Sequence, residues 1–133
     1  MNVAIRYYSK TGHTKDIAEA LAEGAGEMAI SITDEPTLNE KVDILFLGGA
    51  PYANIMAPEL REYASKLTPE TVGKVVLFST SNWSRRTMLA LRKMLKNQGI
   101  SVEQETFYSH FLAVKSHIEP AKEFAKRITH DEN

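Results

Sequence analysis

An apolar N-terminal strand that stops in a hydroxyl-rich, glycine-containing turn and restarts at once as a helix constrains this chain more than any other feature. The run is Val3-Ala4-Ile5-Arg6-Tyr7-Tyr8-Ser9-Lys10-Thr11-Gly12-His13-Thr14, and Ile17, Ala18, Leu21, Ala22 and Ala25 then share one helical face. Such a unit aims the unpaired first N–H groups of the helix, and the hydroxyls of Ser9, Thr11 and Thr14, at one point. That point suits a phosphate. The helix dipole adds a positive potential worth about 0.3–1 kcal/mol there, and Gly12 lets the backbone approach an anion with no side chain in the way. Lys10 and His13 sit inside the same turn. The plainer reading is a helix N-cap, for which Thr11 or Thr14 alone would serve. Three hydroxyls and a glycine weigh towards the phosphate.

The turn matches neither of two better-known phosphate loops. It lacks the Gly-Lys pair followed by a hydroxyl that reaches the terminal phosphates of a nucleoside triphosphate, and it lacks the three spaced glycines of a dinucleotide fold. Hydroxyls without that lysine suit holding a monophosphate more than cleaving a triphosphate.

Strand and helix patterns alternate along the rest of the chain. Residues 2–8 read as a first strand, and the helix after it ends near Gly24 and Gly26. Residues 28–32 read as a short second strand, residues 34–41 with Pro36 as a loop or single turn, and residues 42–47 as a third strand buried on both faces. Residues 48–52 read as a loop. Leu60, Tyr63, Ala64 and Leu67 mark the next helix, residues 74–78 a fourth strand, and Met88, Leu91 and Leu95 a helix closed by Gly99. A fifth strand is expected within residues 101–108, and Ala121, Phe124, Ala125 and Ile128 line a last helix. Parallel neighbours need crossover connections, so this alternation predicts an α/β fold: a five-stranded parallel sheet with helices on both faces. With 133 residues and 43% hydrophobic content, residues 1–133 are expected to form a single domain.

The pattern Ser9-x-Thr11-Gly12-x-Thr14, on the first strand-to-helix turn, resembles the phosphate loop of the flavodoxins, which holds the phosphate of flavin mononucleotide (FMN). Gly48-Gly49-Ala50-Pro51-Tyr52 is similar to that family's loop after strand 3, and Phe78-Ser79-Thr80-Ser81-Asn82-Trp83 to its loop after strand 4. The resemblance implies a flavodoxin-like three-layer sandwich in strand order 2-1-3-4-5, with the ligand beyond the carboxyl ends of strands 1 and 3. It implies FMN held at its phosphate by Ser9, Thr11, Gly12 and Thr14, with Lys10 and His13 in the same cofactor-binding loop as departures from the family pattern, and with Ala50, Pro51 and Tyr52 beside the ring. Thr80, Ser81 and Asn82 would lie near the polar edge of the ring, and Trp83, the only tryptophan, against its face. For Tyr52 loop packing is the alternative, and for Trp83 a hydrophobic lid over the following helix.

The implied function is electron transfer, one or two electrons carried between redox partner proteins, with no side chain needed as acid, base or nucleophile. One alternative is an FMN-dependent reductase acting on a quinone or other small acceptor, with Arg85 or Arg86 placing the substrate. Another is a flavin-free regulatory domain of the same fold. A phospho-accepting regulator is disfavoured, because Tyr8 and Ser9 stand where its acidic cluster would follow strand 1. Flavodoxins are strongly acidic and dock to basic reductases, whereas this chain has a formal net charge of −1 and carries Arg85 and Arg86 after Trp83. The tail over residues 110–119 is shorter than the inserted loop of long-chain members, pointing to the short-chain type.

The same charge gives no electrostatic footprint for nucleic acid or a membrane surface. The absence of cysteine excludes disulfides and thiolate metal sites, and His13, His110, His117 and His130 show no ligand spacing. No apolar run approaches the roughly 20 residues that span a bilayer, and no leader-like segment precedes the first strand. A cytoplasmic protein, monomeric or weakly dimeric, is expected.

Overall fold

In the computed structural model, which describes residues 1–52, 55–81 and 84–131 with the side chains of Tyr52 and Asp131 excepted, five strands form one parallel sheet. They are β1 (Val3–Tyr7), β2 (Ala29–Ser31), β3 (Val42–Gly49), β6 (Val72–Ser81) and β7 (Phe107–His110); β4 (Pro51–Tyr52) and β5 (Ile55–Met56) make a separate antiparallel hairpin. The sheet order is β2-β1-β3-β6-β7, which is 2-1-3-4-5 when its own strands are counted in sequence. The order reverses at β1, where Ile5 lies beside Ala29 on one side and Phe46 on the other.

Side chains alternate across the sheet because successive residues of a strand face opposite ways. Ile5, Phe46, Val76 and Phe78 face helices α1 (His13–Ala25) and α4 (Val114–Asp131), packing with Ile17, Leu21, Phe124 and Ile128. Leu45, Leu47, Val75 and Leu77 face α2 (Pro58–Ser65) and α3 (Arg86–Asn97), packing with Leu60, Tyr63, Leu91 and Leu95. Each fully buried aliphatic side chain contributes about 1.5–3 kcal/mol, so two such layers account for burial of both sheet faces. Among the described residues no helix is long and apolar enough to cross a membrane.

The helix after β1 ends where expected, at Ala25 between the two glycines, and Gly26 forms its left-handed C-cap at φ 73°. Gly24 sits where a Cβ would lie 2.3 Å from the Lys122 carbonyl oxygen, so its missing side chain lets α1 and α4 touch backbone to backbone. Several other boundaries differ from the sequence expectation. β3 runs on through Gly49, and the expected loop after it is the β4–β5 hairpin. β6 extends to Ser81 despite its polar end. The fifth strand lies later than most of its expected span. Val102 makes one parallel bridge to Val75, Glu103 turns aside to pair with Lys74 at 3.0 Å, and the chain rejoins β6 only at Phe107. The tail forms a 3-10 turn (Phe111–Ala113) that runs straight into α4, which accommodates Pro120 in its interior.

Candidate functional site

At the carboxyl edge of the sheet the connections after β1, β3 and β6 come together. The Tyr8 N–H donates to the Gly48 carbonyl at 3.1 Å, joining the first connection to the end of β3. The hydroxyls of Thr14 and Thr80 lie 2.6 Å apart, joining the start of α1 to the end of β6, and both threonines are 1% exposed. This convergence sits at the switch point of the strand order, where ligands of open α/β sheets bind.

The turn from β1 into α1 is built around Gly12, whose φ of 95° and ψ of −13° place it in the left-handed region. Its Cβ would meet nothing within 4 Å, so glycine is needed there for backbone conformation alone. The Gly12 N–H donates to Ser9 Oγ at 3.0 Å, which folds the turn back on itself. No side chain caps α1. Its first intrahelical bond runs from the Asp16 N–H to the Gly12 carbonyl, which leaves the N–H groups of residues 13–15 without an intrahelical acceptor. The cap reading of Thr11 and Thr14 thus finds no support in the geometry: Thr14 turns inward to Thr80, and Thr11 is exposed. An uncapped helix N-terminus, a left-handed glycine and nearby hydroxyls form a donor set that fits a phosphate.

Lys10 is exposed, and its charge contributes to holding the Glu59 carboxyl below its ordinary range. The largest cause of that lowering is the hydrogen bond from the Tyr8 hydroxyl at 2.6 Å, which ties the end of β1 to the first turn of α2. His13 packs its ring against Phe111, with centroids 5.7 Å apart, and Phe111 stacks on His110 at 4.8 Å. An aromatic wall from the β7–α4 connection therefore flanks the phosphate turn. Sequence reasoning missed it; His110 is the last residue of β7 and Phe111 follows it, and a strand placed too early hid that signal.

The other two connections supply the rest of the edge. Ala50 and Pro51 are half-buried between β3 and the hairpin. Ser81 donates its hydroxyl to the Ser84 carbonyl, and the Tyr108 hydroxyl lies 3.0 Å from Ser81 Oγ and 3.2 Å from its carbonyl oxygen. Arg85 spreads over the Tyr108 ring, 4.2 Å from its centroid. The side chain of Tyr52, and Asn82 and Trp83 entirely, lie outside the described residues. Of the predicted set, residues 9–14, Ala50, Pro51, Thr80 and Ser81 are placed by the fold on this one edge.

Neither a protein-family model nor a curated protein sequence matches this chain. Solved structures do. An archaeal flavodoxin superposes with a TM-score of 0.80 at 16% identity, over 98% of each chain. Oxidised flavodoxin 1 from Bacillus cereus gives a TM-score of 0.79 at 16% identity, covering 98% of this chain and 99% of that one. A Fusobacterium nucleatum flavodoxin bound to flavin mononucleotide gives 0.71 at 12% identity, over 99% of each chain. The sheet order, the helices on both faces and these superpositions together establish that the chain has the flavodoxin fold.

Proposed function

We propose that this protein binds FMN at the carboxyl edge of its sheet and carries one or two electrons between redox partner proteins. The observation that carries the reading is the uncapped N-terminus of α1 behind left-handed Gly12, with its unpaired N–H groups at the switch point. The likeness to a flavodoxin bound to flavin mononucleotide supports it. In this reading Ser9, Thr11, Gly12 and the backbone N–H of Thr14 hold the phosphate, Lys10 and His13 flank it, and Ala50, Pro51, Thr80 and Ser81 border the ring. Tyr52 and Trp83 are the proposed walls.

The bound flavin supplies the redox chemistry. The chain's own part is to bind, orient and shield. The α1 terminus fixes one end by electrostatics, and the buried Thr14–Thr80 pair keeps that terminus registered against β6. The Ser81–Ser84–Tyr108 bonds stiffen the third connection, so an edge held there would not drift. No titratable side chain is needed for proton transfer in a carrier of this kind.

The test is titration of the purified protein with FMN followed by steady-state NAD(P)H oxidation. A visible flavin spectrum with a one-to-one endpoint and no sustained NAD(P)H turnover supports a carrier. Sustained turnover with a quinone would favour a reductase, and failure to bind FMN would favour a flavin-free module.

A further inference from the structure

A formal net charge of −1 conceals an uneven distribution. Residues 71–102 contain no aspartate or glutamate, while Arg85, Arg86, Arg92, Lys93 and Lys96 stand at the start of α3 or along it. Arg85, Leu89, Arg92 and Lys96 recur at helical spacing and so share one outer stripe of α3. There they border a groove of about 440 Å³ that also reaches Met88 and Gln104 and has no acidic residue in its lining. Leu89 is 65% exposed among these cations. On the other side of the helix Lys93 and Arg61 line a second groove, again with no acidic residue.

The surroundings do not cancel this charge. Arg85, Arg92 and Lys96 form none of the ion pairs among the described residues. The carboxylates on either side of Gln104 are taken by other cations, Glu103 by Lys74 at 3.0 Å and Glu105 by both Nη atoms of Arg127 at 2.8 Å. Arg92 donates to the neutral Gln104 carbonyl at 3.4 Å, and Arg85 lies over the Tyr108 ring. Both contacts orient a cation and leave its charge in place. Met88, Leu91 and Leu95 are buried in the core, so α3 keeps no free apolar face to insert into a bilayer. Among the described residues the groove has no aromatic ring in its lining on which nucleic-acid bases could stack. Cations around one exposed leucine fit an acidic protein surface, because opposite charges steer the encounter and apolar contact holds it.

We propose that the outer face of α3 docks a partner protein through an acidic surface with an apolar side chain at its centre, seated over Leu89. The groove begins at Arg85, which lies on Tyr108, whose hydroxyl reaches the Ser81 carbonyl at 3.2 Å on the carboxyl edge of the sheet. A partner docked there reaches the border of the proposed flavin site, a consequence that rests on the carrier reading. Electron-transfer encounters bury less than about 1,200 Å², an area that one helix face and its flanks can supply.

The test is an NMR titration of the ¹⁵N-labelled full chain without flavin, so that a failure to bind FMN leaves its result intact. The probe is a glutamate-rich peptide with one central leucine. An all-glutamate peptide, an oligothymidylate of equal charge and phosphatidylglycerol vesicles are the comparisons. The expected result is saturable shifts centred on residues 85–96, at an affinity about fivefold or more above any comparison. Raising the salt from about 0.01 M to about 0.1 M, which shortens the Debye length from about 30 Å to about 10 Å, should weaken the peptide about tenfold. Arg92→Gln combined with Lys96→Gln, with a dispersed amide spectrum as the check on folding, should weaken it severalfold, whereas Lys126→Gln on α4, across the sheet, should not. Leu89→Ser should erase the preference for the leucine-bearing peptide over the all-glutamate one. Equal or tighter binding of the oligothymidylate or the vesicles, shifts centred elsewhere, or unchanged affinity in the Arg92→Gln, Lys96→Gln variant would each overturn the proposal.

Discussion

Replacing Thr14 by valine keeps the shape of the side chain and deletes only its hydroxyl, so its cost reads the Thr14–Thr80 bond almost alone. Both threonines are 1% exposed and their oxygens lie 2.6 Å apart. Removing one hydroxyl leaves the other buried without a partner, which costs about 1–3 kcal/mol. Thr14→Val and Thr80→Val should each lose about 2 kcal/mol, a fall of about 1 M in the urea midpoint at a slope of about 2 kcal/mol per M. The double variant removes both polar groups and should be more stable than either single one, giving a coupling energy of about 1–3 kcal/mol in a double-mutant cycle. Strictly additive losses, or singles indistinguishable from wild type, would refute the reasoning. The double variant has a further use. Because it folds without the Thr14 hydroxyl, a selective loss of FMN over riboflavin in it would show that this hydroxyl also reaches the phosphate.

Three other outcomes follow. Trp83 is the only tryptophan, so flavin stacking against it should quench the protein's tryptophan emission on saturation with FMN, and unchanged emission would move the ring elsewhere. Arg85→Ala should cost about 0.5–1 kcal/mol through loss of the contact over Tyr108, read by thermal unfolding. With Arg86→Ala added, the flavin potential should become more negative; a potential that stays or rises would place both arginines away from the flavin. Finally, the Glu103 carboxyl is held below its ordinary value chiefly by the hydrogen bond from Lys74 at 3.0 Å. A carboxyl lowered by folding contributes stability above its unfolded pKa and loses it as pH falls through the folded one, so Lys74→Met should flatten the acid limb of the stability profile. An acid limb unchanged in Lys74→Met would mean that the pair contributes nothing.

How far the sequence could be read depended on what each segment had to bury. β3 was legible because Ile44 to Leu47 face helices on both sides and form an unbroken apolar run. β7 was not, since Glu103, Gln104 and Glu105 interrupt the apolar pattern and the strand resumes only where Phe107 reaches the core. Ser79, Thr80 and Ser81 looked like loop because isolated hydroxyls are poor core residues. Thr80 is nonetheless in a strand, its partner Thr14 being distant in sequence, and no local pattern reveals such a pair. Gly24 and Gly26 marked the end of α1 correctly, but the packing requirement at Gly24 comes from the Lys122 backbone of α4, which no local pattern shows. The phosphate turn was legible for the opposite reason: its strand, glycine, hydroxyls and helix are contiguous. The aromatic wall of His110 and Phe111, and the burial of Arg6 with a guanidinium that bonds the Ile5 carbonyl, depend on tertiary placement and left no mark in the periodicity.

The central claim is that the α1 terminus holds a phosphate, and the most direct measurement compares the dissociation constants of FMN and riboflavin for the wild-type protein by flavin fluorescence at fixed ionic strength. The two ligands differ only in the phosphate. Charge-assisted hydrogen bonds to the turn and helix terminus contribute about 1.5–3 kcal/mol each, so FMN should bind at least about 100-fold more tightly. Thr11→Ala should narrow that gap by weakening FMN while leaving riboflavin nearly unchanged. Equal affinities for FMN and riboflavin in the wild-type protein would contradict the account.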